Sequence, residues 1–315
     1  MKYIRDIKQI PDNMPPCALT IGSFDGVHRG HQEIITTLLQ EAKQRGLATL
    51  VISFDPYPKE FFLGERVPRL MTWREKHTAL EALGVDYFLT INFNAAFAAI
   101  PARQFVTNLL IEKLHAKLII VGDDFRFGQG REGDYALLAN MAASHQFSVM
   151  PMPTFEVMNE RVSSSRLRHV LQAGNMSMAS DLLGDYYSLM GTVIHGDKLG
   201  RTLGYPTANI DLHRRRVPLS GVYVVRIEGI DQRIYYGAAN IGTRPAVQGT
   251  RVLLEIFIFN FDTDIYGLNI KVSFLHKLRD EEDFESLDLL KEQIAMDVSN
   301  SKTWMAQNKC IISTC

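Results

Sequence analysis

The sequence has almost no cysteine. Its three, Cys17, Cys310 and Cys315, form no C-x-x-C pair and no metal-ligand spacing. That excludes a disulfide-stapled scaffold and predicts a cytoplasmic chain with reduced thiols. Net charge is nearly missing too, −1 at pH 7, so no basic field is available to hold a nucleic acid. No apolar run is long enough to cross a bilayer, which predicts no membrane partner. The opening Met1-Lys2-Tyr3-Ile4-Arg5-Asp6 lacks the apolar core of a signal peptide. There is no repeat and no low-complexity tract. What remains is an ordinary globular composition, 46% hydrophobic and 22% charged, in a 315-residue length that suggests two domains.

What is present centres on Gly22-Ser23-Phe24-Asp25-Gly26-Val27-His28-Arg29-Gly30-His31. Ala18–Ile21 before it reads as the end of a buried strand. His31–Arg45 after it places Ile34, Ile35, Leu38, Leu39 and Ala42 at helical spacing. The stretch is therefore a glycine-rich strand-to-helix turn, and a helix N-terminus offers free N–H groups and a positive dipole end to a phosphate. His28 and His31, three apart, share one side of the turn. As imidazolium donors they could stabilise charge growing on phosphorus. The string resembles the G-x-F-D-x-x-H-x-G-H signature of nucleotidyltransferases that move AMP or CMP between phosphates.

The rest of the first half alternates strand and helix, which predicts a parallel sheet covered on both faces. Strands are expected at Ala48–Phe54, Asp86–Asn92, Lys117–Val121 and Phe147–Met150. Helices are expected at Trp73–Leu83, with Thr72 as N-cap, at Pro101–Leu114 and at Asp134–Ser144. Ligands of such sheets sit beyond the strands' carboxyl ends. Two further loops are unusual. Gly122-Asp123-Asp124-Phe125-Arg126-Phe127-Gly128 combines acids, a cation and aromatics that suit a planar phosphorylated ligand, or else forms a solvated turn. Arg161-Val162-Ser163-Ser164-Ser165-Arg166-Leu167-Arg168 opens the next helix. Its serines suit capping, and Arg166 and Arg168 suit triphosphate oxygens.

The order GSFDGVHRGH, MTWREKHTAL, VGDDFRFGQGREGD and RVSSSRLR resembles the FMN adenylyltransferase half of the bacterial bifunctional riboflavin kinase/FAD synthetase family. Ser165 stands where that family usually has threonine, which keeps the hydroxyl. The family's D-P-x-P segment also appears, as Asp55-Pro56-Tyr57-Pro58.

After a short helix at Asn175–Leu183, Gly184-Asp185 marks a boundary, and strands follow without intervening helices. Ser188–His195, Gly221–Ile227, Arg233–Ala239, Val252–Phe261 and Asn269–Leu275 predict an antiparallel barrel, closed by a helix at Ser286–Val298. The chemistry-bearing stretch runs from Gly196 through Asp197, Lys198, Gly200, Arg201, Gly204, Tyr205, Pro206 and Thr207 to Asn209. It is not a Walker loop. Thr207 and Asn209 face the same way in extended chain, and their oxygens suit Mg²⁺ held with nucleotide phosphates. Glu255 falls on a face with Leu253, Phe257 and Phe259, where a carboxylate is costly without a partner or a task. Desolvation there would raise its pKa, as a general base requires; an ion-paired structural glutamate is the other reading.

GDKLGRTLGYPTAN, ANIGTRP, LEIFIFNFDTDIYG and FLHKLRDEEDF resemble the riboflavin kinase half of the same family. The two resemblances cover nearly the whole chain, except a tail from about Ser301. They imply a doubly wound α/β nucleotidyltransferase domain at 1–184 and a β-barrel kinase domain with a terminal helix at 185–315. They imply catalysis by His28, His31 and Glu255. The transferase would bind ATP through Gly22, Phe24, Asp25, Gly30, Ser164, Ser165, Arg166 and Arg168, and flavin through Asp124, Phe125 and Arg126. The kinase would bind ATP through Gly196, Gly200, Arg201, Gly204, Thr207 and Asn209, Mg²⁺ through the last two, and flavin through Arg279. The implied partners are riboflavin, FMN, FAD and ATP. An adenylyltransferase for another phosphate acceptor, and a flavin carrier without catalysis, are the alternative readings.

Overall fold

The computed structural model describes residues 1–64, 67–196, 199–214, 216–246 and 249–308. Contacts divide the chain into two compact units, one of Met1–Val67 with Met71–Ser164, the other of Pro68–Leu70 with Ser165–Cys315.

The first unit is a six-stranded, wholly parallel sheet in the order β1-β4-β3-β2-β5-β6. Its strands are β1 (Lys2–Ile4), β2 (Cys17–Ile21), β3 (Ala48–Asp55), β4 (Tyr87–Asn92), β5 (Ala116–Gly122) and β6 (Ser148–Met152). Alternate residues feed two cores. Leu19, Leu50, Leu89 and Ile119 pack on one face, and Ala18, Val51, Phe88, Leu118 and Ile120 on the other. Both faces are buried, so the strands read as continuous apolar runs rather than alternating ones.

Helix α1 (Arg29–Arg45) buries Ile35, Leu38 and Ala42 and stops at Gly46, whose φ of 63° lies in the left-handed region. After α2 (Pro58–Leu63), α3 (Trp73–Ala82) starts as expected at Thr72, which forms a capping box with Glu75. Such a cap contributes about 1 kcal/mol. Past α4 (Ala95–Ala98) and α5 (Ala102–Gln104), the segment expected as one regular helix is π-helical over Phe105–Lys113. It nonetheless buries Phe105, Val106, Leu109 and Leu110. Helix α6 (Tyr135–His145), capped by Asp134, completes the cover, and a small hairpin of β7 (Glu156–Val157) and β8 (Glu160–Arg161) follows β6.

In the second unit α7 (Ser164–Gln172) and α8 (Met176–Leu183) precede a closed barrel, and α8 lies against the strand Asn269–Arg279. The barrel strands are β9 (Ser188–Ile194), β10 (Ala208–Asp211), β11 (Gly221–Glu228), β12 (Tyr235–Ala246), β13 (Gly249–Ile258) and β14 (Asn269–Arg279), in the order β10-β13-β12-β11-β14-β9. Every pairing is antiparallel. Strand β10 was not expected; it begins at the end of the glycine-rich motif and runs past it. After α9 (Leu199–Thr202), the last helix α10 (Leu287–Gln307) runs well past Val298, into the stretch that carried no sequence reading.

Glu255 shares a face with Leu253, Phe257 and Phe259 as expected, but that face is less buried than a costly carboxylate position implied. Val252, Leu254, Ile256 and Ile258 are the buried side of β13, whereas Leu253, Glu255, Phe257 and Phe259 are half-buried. Both faces of this strand carry apolar residues, so alternation alone could not say which faces the core.

Candidate functional site

Each unit contains one cluster of chemistry-bearing side chains. In the first, β2 delivers the chain to a tight turn. Phe24 and Val27 adopt φ of 46° and 39°, and Gly26 has φ of 91°. Non-glycine residues in that region cost about 1–3 kcal/mol each and persist only when their surroundings hold them. Asp25 is buried and accepts from the Tyr57 hydroxyl (3.1 Å) and the Met71 N–H (3.2 Å). The Ser23 carbonyl accepts from Ser53 Oγ (3.0 Å) and from the buried Lys76 ammonium (2.5 Å). Gln32 Nε2 donates to the Val27 carbonyl (2.9 Å).

His28 is the N-cap of α1, and its Nδ1 accepts from the His31 N–H at 3.4 Å. An accepting Nδ1 leaves the proton on Nε2, so the ring is a donor at its far edge. The two imidazoles stack, centroids 3.7 Å apart and planes 14° from parallel. Gly30 packs closely against the His28 ring and Phe155. Burial pushes the His28 pKa down to about 4, partly opposed by its backbone hydrogen bond. Burial, then the charges of His28 and Lys76, hold His31 well below the ordinary histidine value. Against the imidazolium expectation, these downward shifts leave both rings neutral near pH 7 in the free protein, because burial and, for His31, the neighbouring lysine oppose the charge. His31 Nδ1 is buried without a hydrogen-bond partner among the described residues.

Asp124 in the second loop pairs with Arg161 of β8 at 2.7 Å, Phe125 stacks on Phe127 at 5.4 Å, and Arg126 is exposed. Ser164 Oγ donates to the Asp25 carbonyl (2.8 Å), which ties it to the phosphate turn in addition to opening α7. Ser165, Arg166 and Arg168 belong to the second unit, where Arg168 Nε donates to the Pro68 carbonyl (2.8 Å) and Arg166 reaches the Met178 sulfur.

The second cluster rests on strand register. Asn209 of β10 stands opposite Glu255 of β13, and Glu255 stands opposite Asn240 of β12. Directly opposed residues of antiparallel strands share a face, so the three form a row. A side chain at Gly196 would run into the Asn209 amide, and one at Gly200 would meet the Tyr205 carbonyl and Thr207. Gly204 turns with φ of 89°, and Arg201 is exposed. Asp197 and Lys198 lie outside the described residues. A cavity of about 740 Å³ opens here, lined by Gly200, Thr207, Asn240, Glu255, Phe257 and Arg279 among others. Arg279 is held by a two-point ion pair to buried Asp297 of α10 (2.9 and 2.8 Å), and its guanidinium lies 5.7 Å from the Phe284 ring centre. No cluster of three or more His, Cys, Asp or Glu able to hold a metal occurs among the described residues.

Sequence reasoning missed Lys76, Tyr57, Asn240 and Asp297 as site residues. Asn240 Oδ1 is buried without a partner among the described residues. Lys76, Tyr57 and Asn240 stood inside quoted motifs, but nothing local marks a lysine that will be buried.

Family models place this geometry in context. One described as FAD synthetase matches residues 10–166, and one described as riboflavin kinase matches residues 183–305. A bifunctional riboflavin kinase/FMN adenylyltransferase of Escherichia coli K12 is 42% identical over 311 residues, 98% of this chain and 99% of its own. A protein of the same name from Haemophilus influenzae is 41% identical, covering 96% and 99%. A solved structure titled as a macrolide-efflux protein from Streptococcus pneumoniae superposes with a TM-score of 0.83 at 32% identity, covering 96% of this chain and all of that one. No described helix of the present chain is long and apolar enough to cross a membrane.

Proposed function

The chain belongs to the bifunctional riboflavin kinase/FMN adenylyltransferase family, and from that premise we propose that it makes FMN from riboflavin and ATP, and FAD from FMN and ATP. We assign adenylyl transfer to residues 1–184 and the kinase to 185–315. The observation that carries the reading is that each matched half holds one site suited to one of the two phosphoryl chemistries.

In the kinase, Glu255 takes the proton of the terminal ribityl hydroxyl as that oxygen attacks the γ-phosphorus of ATP. The new O–P bond forms while the bond to the β-phosphate oxygen breaks, and ADP leaves. Half-burial beside a cavity suits this task, since the carboxylate stays within reach of substrate. Thr207 Oγ and Asn209 Oδ1 are neutral oxygen donors that fit a magnesium ion shared with ATP phosphates, and that ion would offset charge at the transferring group. Gly196, Gly200, Arg201 and Gly204 shape the phosphate loop, and Arg279, fixed by Asp297, lies along the flavin's path.

In the transferase, an FMN phosphate oxygen attacks the α-phosphorus of ATP and pyrophosphate leaves. The nucleophile is already ionised, so the protein supplies position and charge stabilisation rather than a base. The N–H groups opening α1 and the neutral His28 and His31 edges serve as donors, with Gly22, Phe24, Asp25, Gly30, Ser164, Ser165, Arg166 and Arg168 holding ATP. Asp124, Phe125 and Arg126 face the flavin. Cysteine usage points to the cytoplasm as the setting.

Incubation of the pure protein with riboflavin, ATP and Mg²⁺ tests the reading. FMN and FAD are the expected products. Riboflavin that binds unchanged would make the protein a carrier. No flavin binding would leave an adenylyltransferase for another acceptor.

A further inference from the structure

Lys76 is only 4% exposed. Its ammonium donates to the Ser23 carbonyl (2.5 Å), to Ser53 Oγ (3.0 Å) and to the Tyr57 hydroxyl (3.2 Å), and lies 4.7 Å from the Tyr57 ring centre. Tyr57 in turn donates to Asp25. These contacts converge on one segment from below, Ser23-Phe24-Asp25, the segment whose Phe24 sits at φ of 46°. A buried ammonium is expensive to keep and its side chain expensive to immobilise. A neutral residue would hold the core more cheaply, so the charge has a use.

We propose that Lys76 is a positioning residue for adenylyl transfer: from beneath, its ammonium holds the turn that presents His28, His31 and the first N–H groups of α1 to the nucleotide phosphates. This rests on the adenylyltransferase reading above. The geometry gives the charge two effects. It fixes the Ser23 carbonyl, which sets the path of Phe24 and therefore the ring that tilts against His31 at 4.9 Å. It also adds fixed positive potential under a site that must receive anionic phosphates. The charged or titratable groups facing His31 are His28 and Lys76, with Asp25 beyond the Tyr57 hydroxyl and Arg161 acting on His28. The Lys76 charge opposes protonation of His31, so the same lysine helps keep His31 a neutral donor.

Three variants of the full-length protein test this: Lys76→Met, Lys76→Arg and Tyr57→Phe. Each is assayed for FAD formation from FMN and ATP at a temperature where circular dichroism shows it folded. Riboflavin phosphorylation by the same preparation is the internal control. Lys76→Met is expected to lower kcat for FAD formation by roughly 10–100-fold, the scale of a small misplacement of catalytic groups. The FMN KM stays within about threefold. The acid limb of its pH–rate profile moves to higher pH, because His31 loses an opposing charge. Lys76→Arg recovers most of the rate. If Lys76→Met does not fold, Tyr57→Phe cuts the Lys76–Tyr57–Asp25 link without burying a new charge, and a several-fold loss of kcat is expected. The proposal is overturned if the folded Lys76→Met variant, or in its place Tyr57→Phe, keeps FAD formation within twofold of wild type. It is also overturned if Met and Arg lose it equally with the acid limb unmoved, since Lys76 then only props the fold. Wild-type protein that forms no FAD from FMN would instead refute the adenylyltransferase reading, before any variant is made.

Discussion

The two clusters are built on opposite principles. The first gathers its groups at a strand-to-helix turn: stacked imidazoles, one of them buried, a buried lysine, a buried aspartate and two strained residues. The second uses sheet register, a row of Asn209, Glu255 and Asn240 across three strands beside an open cavity. The difference teaches where each site is vulnerable. A site with buried titratable groups is sensitive to charge and pH, because desolvation raises the cost of every protonation change. A site on a barrel wall is sensitive to the loss of single groups, because the strands stay in place when one side chain is trimmed.

The sharpest way to separate them is Glu255→Gln, which keeps the shape and removes the base. Riboflavin phosphorylation should fall ~10²–10⁴-fold while FAD formation from FMN is unchanged, as general-base loss implies. Glu255 is half-buried rather than in the core, so the melting temperature should hold. Kinase activity within a few-fold of wild type would move the base elsewhere.

His31→Ala is the counterpart. Removing one preorganised donor typically costs ~10²–10³ in rate, and that loss should fall on FAD formation alone. An equal loss in both activities would break the comparison.

The contrast in burial gives a pH signature. His28 titrates near pH 4 in the fold against 6.5 when exposed. Above about pH 6.5 neither state holds the proton, and stability is at its full value. As pH falls from there towards 4, the unfolded chain takes up a proton that the fold refuses. Stability should therefore drop by up to about 3 kcal/mol for this group, and His31 adds to it in the same direction. Thermal melts across that range should show the decline in wild type and a shallower one in His28→Gln. Identical slopes would mean that His28 is not desolvated in the fold.

The mildest effect belongs to Asn209→Ala. Losing one oxygen contact of about 1.4 kcal/mol should raise the Mg²⁺ concentration for half-maximal kinase rate roughly tenfold. An unchanged titration would leave Asn209 as packing beneath Gly196.

The sequence made the first architecture easier to read than the second. Helix α1, the Thr72 cap and five of the six sheet strands stood out, because their patterns are local and strongly apolar. Strand β1 was missed because three residues carry no period. Strand β10 was missed because glycines and a proline surround it. The π-helical turn of Phe105–Lys113 is a choice among nearly equal hydrogen-bond patterns, which composition does not reveal. Glu255 was found as an anomaly and grouped with its true face-mates Leu253, Phe257 and Phe259, but β13 is apolar on both faces, so the pattern could not show that this face is only half-buried. His28 and His31 were named but given a charge that only their burial could correct. Lys76 was invisible as a site residue because its partners come from 19 to 53 positions away along the chain.

The central claim is that two chemically independent sites carry successive steps, and one mixing experiment tests it most directly. Purified Glu255→Gln and His31→Ala are each supplied with riboflavin, ATP and Mg²⁺, separately and then together, and the flavins are separated over time. Alone, Glu255→Gln should leave riboflavin unchanged, and His31→Ala should stop at FMN. Together they should produce FAD, as FMN released by one variant is adenylylated by the other. A mixture that accumulates FMN without FAD, although Glu255→Gln converts added FMN, would contradict release between independent sites; a mixture that makes no FMN at all would contradict the division of the two chemistries itself.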